Sequence, residues 1–89
     1  MITAAPDPLR RRRSSVLASI FFAPMGQATV RDLQRELETV HNIAASRDAV
    51  RADLSWLQEV GLLRVLDDTA QITERGRDVA RNTAPWPGE

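Results

Sequence analysis

The side chains best suited to chemistry in this sequence are arginines, and they fall into three groups. Arg47 and Arg51 stand with Asp48, Ser55 and Gln58 directly after Ser46. At about 3.6 residues per turn these five project from one side of a helix that Ser46 would cap. A guanidinium fork pairs bidentately with a guanine edge, a phosphate or a carboxylate, and hydroxyl and amide groups reach other base edges. The row is therefore a candidate base-reading surface. Asp48 and Glu59 share it, so a solvated face carrying its own ion pairs is the competing reading. The second group is Arg10, Arg11, Arg12 and Arg13. Four consecutive residues span a whole helical turn and cannot all face one partner. Cations near a helix start also oppose the helix dipole. Such a cluster serves either a phosphate or acidic partner, or solubility with partial pairing to Asp and Glu. The third group is Arg64 and Arg75, at the base of an expected hairpin and within reach of phosphates.

Other chemistries find few residues to work with. The chain has 89 residues and no cysteine, so it has neither disulfides nor thiolate ligands, and it suits a reducing interior. His41 is its one histidine, near an expected helix end where an imidazolium suits the dipole; alone it makes neither a zinc site nor a catalytic base with partners. There is no glycine-rich phosphate loop and no nucleophile with an adjacent base. The expectation is a non-enzyme that holds no cofactor and no metal. All 12 cations are arginines, and they balance 12 acids to a net charge of zero. A neutral chain exerts no overall pull on a polyanion, so any attraction must be local. The apolar run 16–25 follows four arginines as in a signal peptide. It is broken by Ser19 and Pro24, has helical spacing, and is too short to cross a bilayer, so it reads as a core helix.

The elements that must position these groups follow from periodicity and capping. Residues 1–6 read as a flexible N-terminal tail. Asp7 and Pro8 start a helix over about 8–23, with Leu9, Val16, Leu17, Ile20 and Phe21 on one face, ended by Pro24 and Gly26. Gln27 and Ala28 form a connector with at most one strand bridge. Thr29 caps a second helix whose stripe is Val30, Leu33, Leu37 and Val40, closing near His41 with Asn42 as a left-handed cap. A turn over 42–45 leads to the third helix, with an inner stripe of Val50, Leu54 and Leu57, stopped by Gly61. Residues 62–66 and 70–72 read as strands around a turn at 67–69. Thr73 caps a last helix through about Asn82, in which Gly76, Val79 and Ala80 form a small, closely packing face. Residues 83–89, with Pro85, Trp86 and Pro87, read as an extended C-terminal tail. One domain over 7–82 is expected, mainly α with a small antiparallel hairpin, in the order α-α-α-β-β-α.

That order is the order of a winged helix-turn-helix. The stretch 46–63, S-R-D-A-V-R-A-D-L-S-W-L-Q-E-V-G-L-L, resembles the recognition helix and first wing strand of ArsR- and MarR-type bacterial repressors. Ile72-Thr73-Glu74-Arg75-Gly76 resembles their L-T-E-x-G junction after the second wing strand. The S-R-D-x-V, L-x-W-L and T-E-R-G patterns with a proline-containing tail are most similar to small ArsR-like proteins of Mu-like phages and prophages. The resemblance implies a homodimeric, cytoplasmic transcription regulator that binds double-stranded DNA. Its recognition helix would present Ser46, Arg47, Asp48, Arg51, Ser55 and Gln58, with Arg10, Arg11, Arg12, Arg13, Arg64 and Arg75 on the phosphate backbone. Metal sensing does not carry over, because the cysteine ligands are missing.

Two features pull the other way. The expected wing tip is Asp67-Asp68, and carboxylates beside a phosphate backbone are repulsive. Phe22 cannot share the inward stripe with Phe21, which makes it a dimer contact or a seat for the tail. Trp86 is the tail's anchor, a dimer contact or a partner-binding residue. A winged helix used as a protein-interaction module, in phage assembly or as an accessory factor without DNA binding, is the alternative.

Overall fold

The computed structural model describes residues 7–89, so the expected tail at 1–6 lies outside the described residues. Helix α1 spans Pro8–Phe22, and the Asp7 carboxylate accepts from the Arg10 amide at 3.1 Å. A 3-10 turn at Pro24–Gly26 leads into a short strand β1, Gln27–Thr29. Thr29 caps α2, Val30–Thr39, and Ser46 caps α3, Arg47–Glu59; each hydroxyl accepts an amide of the first turn. Strands β2, Leu63–Leu66, and β3, Thr69–Ile72, form the hairpin, and α4, Glu74–Ala80, closes the chain under a Thr73 cap. No helix of the described residues is long and apolar enough to cross a membrane.

The chain is mainly helical, with four helices and a small antiparallel sheet of three strands rather than the hairpin alone. The connector after α1 pairs Gln27, Ala28 and Thr29 with Gln71, Ala70 and Thr69, giving the strand order β1-β3-β2. Three residues are too few to show an alternating pattern, so only the partner strand reveals them as a strand. The pairing ties the sheet to the start of α2, where the Val30 amide donates to the Asp68 carbonyl at 2.8 Å.

The stripes close on one another as their spacing requires. Val16, Leu17 and Ile20 of α1 meet Val30, Leu33 and Leu37 of α2 and Val50, Leu54 and Leu57 of α3; Leu62, Leu63, Ala70, Ile72 and Val79 complete the core. Fully burying such aliphatic side chains contributes about 1.5–3 kcal/mol each before chain entropy is counted. Some expected positions differ. Leu9 lies about two turns before the core begins at Val16 and is exposed. Val40, the C-cap of α2, keeps a helical backbone but is exposed, since the buried part of the stripe ends at Leu37; Asn42 then takes the left-handed conformation at φ 56°. Helix α1 stops at Phe22 instead of 23. Helix α4 stops at Ala80, where Asn82 at φ 62° turns the chain away. The hairpin turn is Asp67-Asp68, with Thr69 already paired to Leu66.

The last residues fold back. The amides of Thr83 and Ala84 both donate to the Asp78 carbonyl, and Trp86 stacks on Trp56 with ring centroids 5.8 Å apart. Arg10 lies over Trp86 and pairs with Glu89 at 2.8 Å, while Arg13 lies over Trp56 at 4.3 Å. Aromatic stacking and cation–π contact together pin the tail to α1 and α3.

Candidate nucleic-acid interface

The outer face of α3 is built as its spacing predicts, and no other segment of the described residues covers it: Arg47, Asp48, Arg51, Ser55 and Gln58 are all exposed. Its side chains differ in how free they are. The Ser46 hydroxyl is engaged as the helix cap. Arg47 makes a long contact, 3.4 Å, with Gln34 Oε1 of α2. Gln58 Oε1 accepts from the Val65 amide at 2.7 Å. That bond occupies an outward-facing N–H on the edge strand β2, so Gln58 blunts the sheet edge as well as facing solvent. Ser55 stands open between them.

Arg51 is the most engaged member. Its Nε and Nη2 donate to the two carboxylate oxygens of Asp68 at 3.1 and 2.9 Å, and its Nη1 donates to Asp48 at 3.2 Å. Asp68 belongs to the hairpin turn, so this fork bridges α3 and the sheet across a cleft of about 240 Å³ lined by Leu54, Ser55, Gln58 and Val65. Hydrogen bonding to Arg51 is the main cause holding the Asp68 carboxyl below its ordinary value, and hydrogen bonding to Asp68 is the main cause raising Arg51. A lowered carboxyl pKa means that the contribution of this pair is present above the ordinary range and lost as pH falls through the lowered value. The bridge therefore persists through neutral pH and opens only in acid, below the ordinary range of an aspartate. Both partners are about half exposed, so the bridge orients Arg51 more than it stabilises the fold.

The cluster at 10–13 faces elsewhere. Arg12 donates through Nε and Nη2 to both oxygens of Asp53, and Arg13 Nε reaches Asp53 Oδ1 at 3.3 Å. Hydrogen bonding to Asp53 raises the Arg12 pKa further. Asp53 has 0% exposure and lies on α3 opposite the Arg47 and Arg51 row. Arg11 donates to the His41 carbonyl at 3.0 Å, and Arg10 is held by Glu89 and Trp86. The His41 ring nitrogen is 3.1 Å from the Ser19 hydroxyl, between α1 and the end of α2. Each of the four arginines thus has a partner within its own chain. Arg64 and Arg75 are exposed. Arg64 shares the outer sheet face with Gln27, Thr29, Leu66, Thr69 and Gln71.

Asp53 escaped the sequence reading, although it had a signal. It sits three residues after Val50 and four before Leu57, so it falls within the buried stripe. A carboxylate there demands a cation, and the cluster at 10–13 was the available supply. The partnership of Arg51 with Asp68 had no such signal, because it depends on where the hairpin lands.

Phe22, the last residue of α1, is 82% exposed, and Met25, in the 3-10 turn that follows, is 83% exposed. Met25 has φ 59°, a left-handed conformation that a non-glycine residue adopts at some cost. Trp86, in contrast, is taken up by Trp56 and Arg10. Among the described residues no group of histidines and acids is arranged to hold a metal ion. No family model, curated protein or solved structure matches this chain.

Proposed function

We propose that the chain is a winged-helix protein of phage or prophage type, acting as a transcription regulator that binds duplex DNA through α3. The observation that carries this reading is the open face of α3. Two short-linked helices, α2 and α3, leave Arg47, Arg51 and Ser55 uncovered on the half of α3 that would enter a major groove. Arg47 and Arg51 would pair with bases or flanking phosphates, Ser55 would reach a neighbouring base, and Arg64 and Arg75 would lie along the backbone. Arg10 serves the tail, Arg12 and Arg13 serve Asp53, and Arg11 the end of α2, so the reading does not require them for this contact.

Titration against a random duplex at low and moderate salt tests the reading. Affinity should fall steeply as salt rises, because bound arginines release counterions. Replacing Arg47 or Arg51 with alanine should weaken binding roughly 5- to 100-fold if the residue reads a base, and lower the salt slope by about one if it touches phosphate. Absence of duplex binding even at low salt overturns the proposal. The second reading, a protein-interaction module, is favoured by one specific feature: Asp68 already satisfies Arg51 and places a carboxylate pair where a backbone would pass. Salt-insensitive behaviour toward duplex would favour it.

The regulator would act as a homodimer through Phe22 and Met25. The two stand only three residues apart in the chain, and leaving two large apolar side chains in water is unfavourable unless a surface covers them. Light scattering should then give twice the 9.9 kDa chain mass, and Phe22→Glu should return it to the monomer value. A native chain that is already monomeric at high concentration removes this part of the proposal.

A further inference from the structure

We propose that Asp68 acts as an internal substitute for phosphate, holding Arg51 in a self-occupied state that a duplex must displace. The inference rests on the DNA-binding reading and names a regulatory contact within that same surface. Its basis is geometric. Arginine recognises phosphate and carboxylate with the same two-pronged arrangement, and Arg51 presents its Nε–Nη2 edge to both oxygens of Asp68. The remaining Nη1 donates to Asp48, so both sides of the fork are engaged by carboxylates from two separate elements.

The hairpin holds Asp68 in place. Leu66 and Thr69 pair directly across the turn, Asp67 takes φ 54°, and the Asp68 carbonyl accepts from the Val30 amide at the start of α2. Its carboxylate is thus anchored by backbone bonds that do not depend on Arg51. Such an anchored group competes with an incoming phosphate without the entropy loss that a free side chain would suffer on pairing. The same carboxylate repels the backbone of a duplex approaching α3. Both effects weaken binding and vanish together when the charge at position 68 is removed.

The experiment compares Asp68→Asn with Asp67→Asn in duplex titrations on the full chain, each in native and Arg51→Ala backgrounds. Asp67 is the neighbouring carboxylate of the same turn and makes no ion pair with Arg51 among the described contacts. Asparagine also suits its left-handed backbone. Asp68→Asn should bind duplex at least about threefold tighter than the native chain, with a salt slope steeper by about one. Its gain should exceed that of Asp67→Asn and disappear in the Arg51→Ala background. Asp68→Ser serves as a second variant, since serine also suits a turn, and thermal melting of each variant checks the fold. Equal gains from the two substitutions would mean that only bulk charge matters, and would overturn the inference. Native binding with no change in Asp68→Asn would overturn it while leaving the DNA-binding reading standing. If no chain in the set binds duplex at low salt, that reading fails and this inference fails with it.

Discussion

Asp53→Ala should destabilise the fold by about 3 kcal/mol or more, the largest effect expected of any polar substitution in this chain. Asp53 is fully buried on the inner side of α3, where Arg12 clasps both of its oxygens and Arg13 adds a third contact. The two arginines are themselves mostly buried. Removing the carboxylate leaves two neighbouring guanidinium groups repelling one another over the seam between α1 and α3, with donors unpaired. It also disturbs the stack of Arg13 on Trp56, which supports Trp86 and the tail. For a domain of this size, each kcal/mol lowers the melting temperature by roughly 4–8 °C, so the loss should be plain in thermal denaturation followed by circular dichroism. The charges are required as a set rather than as a source of net stability. Replacing Arg12 and Arg13 with methionine and Asp53 with leucine together should recover much of the loss, because uncompensated charge dominates the cost. A single Asp53→Ala variant that melts within about 3 °C of the native chain would show that the triad is solvated and unimportant.

The second large effect is expected at Gly76. On an exposed helix, glycine to alanine gains up to about 1 kcal/mol. Here the sign should reverse. A Cβ at this position would stand 2.2 Å from the Leu62 carbonyl oxygen and 2.8 Å from Ile72 Cγ1. The carbonyl cannot move aside freely, since it belongs to a fully buried residue and accepts the Thr73 amide at 3.1 Å. Nearby, the Thr73 hydroxyl donates to the Gly61 carbonyl, so a shift of α4 would strain the whole junction between the third and fourth helices. Overpacking of this kind costs about 1–3 kcal/mol, and contact with backbone places the expected loss at the upper end. Chemical denaturation of Gly76→Ala measures it. An unchanged or raised midpoint would mean that α4 does not approach Leu62 as closely as described. Gly61 offers the contrast: a Cβ there meets nothing within 4 Å, so any loss on substitution must come from its φ of 83° alone.

Much of this architecture was legible because its causes are local. A helix announces itself by apolar residues three and four apart and by a side chain that can cap its first turn, as at Asp7, Thr29, Ser46 and Thr73. The small face of Gly76 and Val79 could be foreseen from residue size. The edges of elements were less legible: Val40 continues the α2 pattern in sequence yet, as the helix's C-cap, stands beyond the core and is exposed. Strand β1 was nearly invisible, since a three-residue segment is defined by its partner across the sheet rather than by its own residues.

The sequence by itself determined which segments become helices, which face of each turns inward, and which arginines a partner could meet on the outer side of α3. Those outcomes depend on interactions within a few residues along the chain, and local chemistry fixes them. Only the tertiary structure decided which arginines are occupied. Arg12 and Asp53 are 41 residues apart, and Arg51 and Asp68 are 17 apart. Charges so distant in sequence meet or miss according to how whole elements pack, and a shift of a few ångströms separates a bidentate pair from two solvated ions.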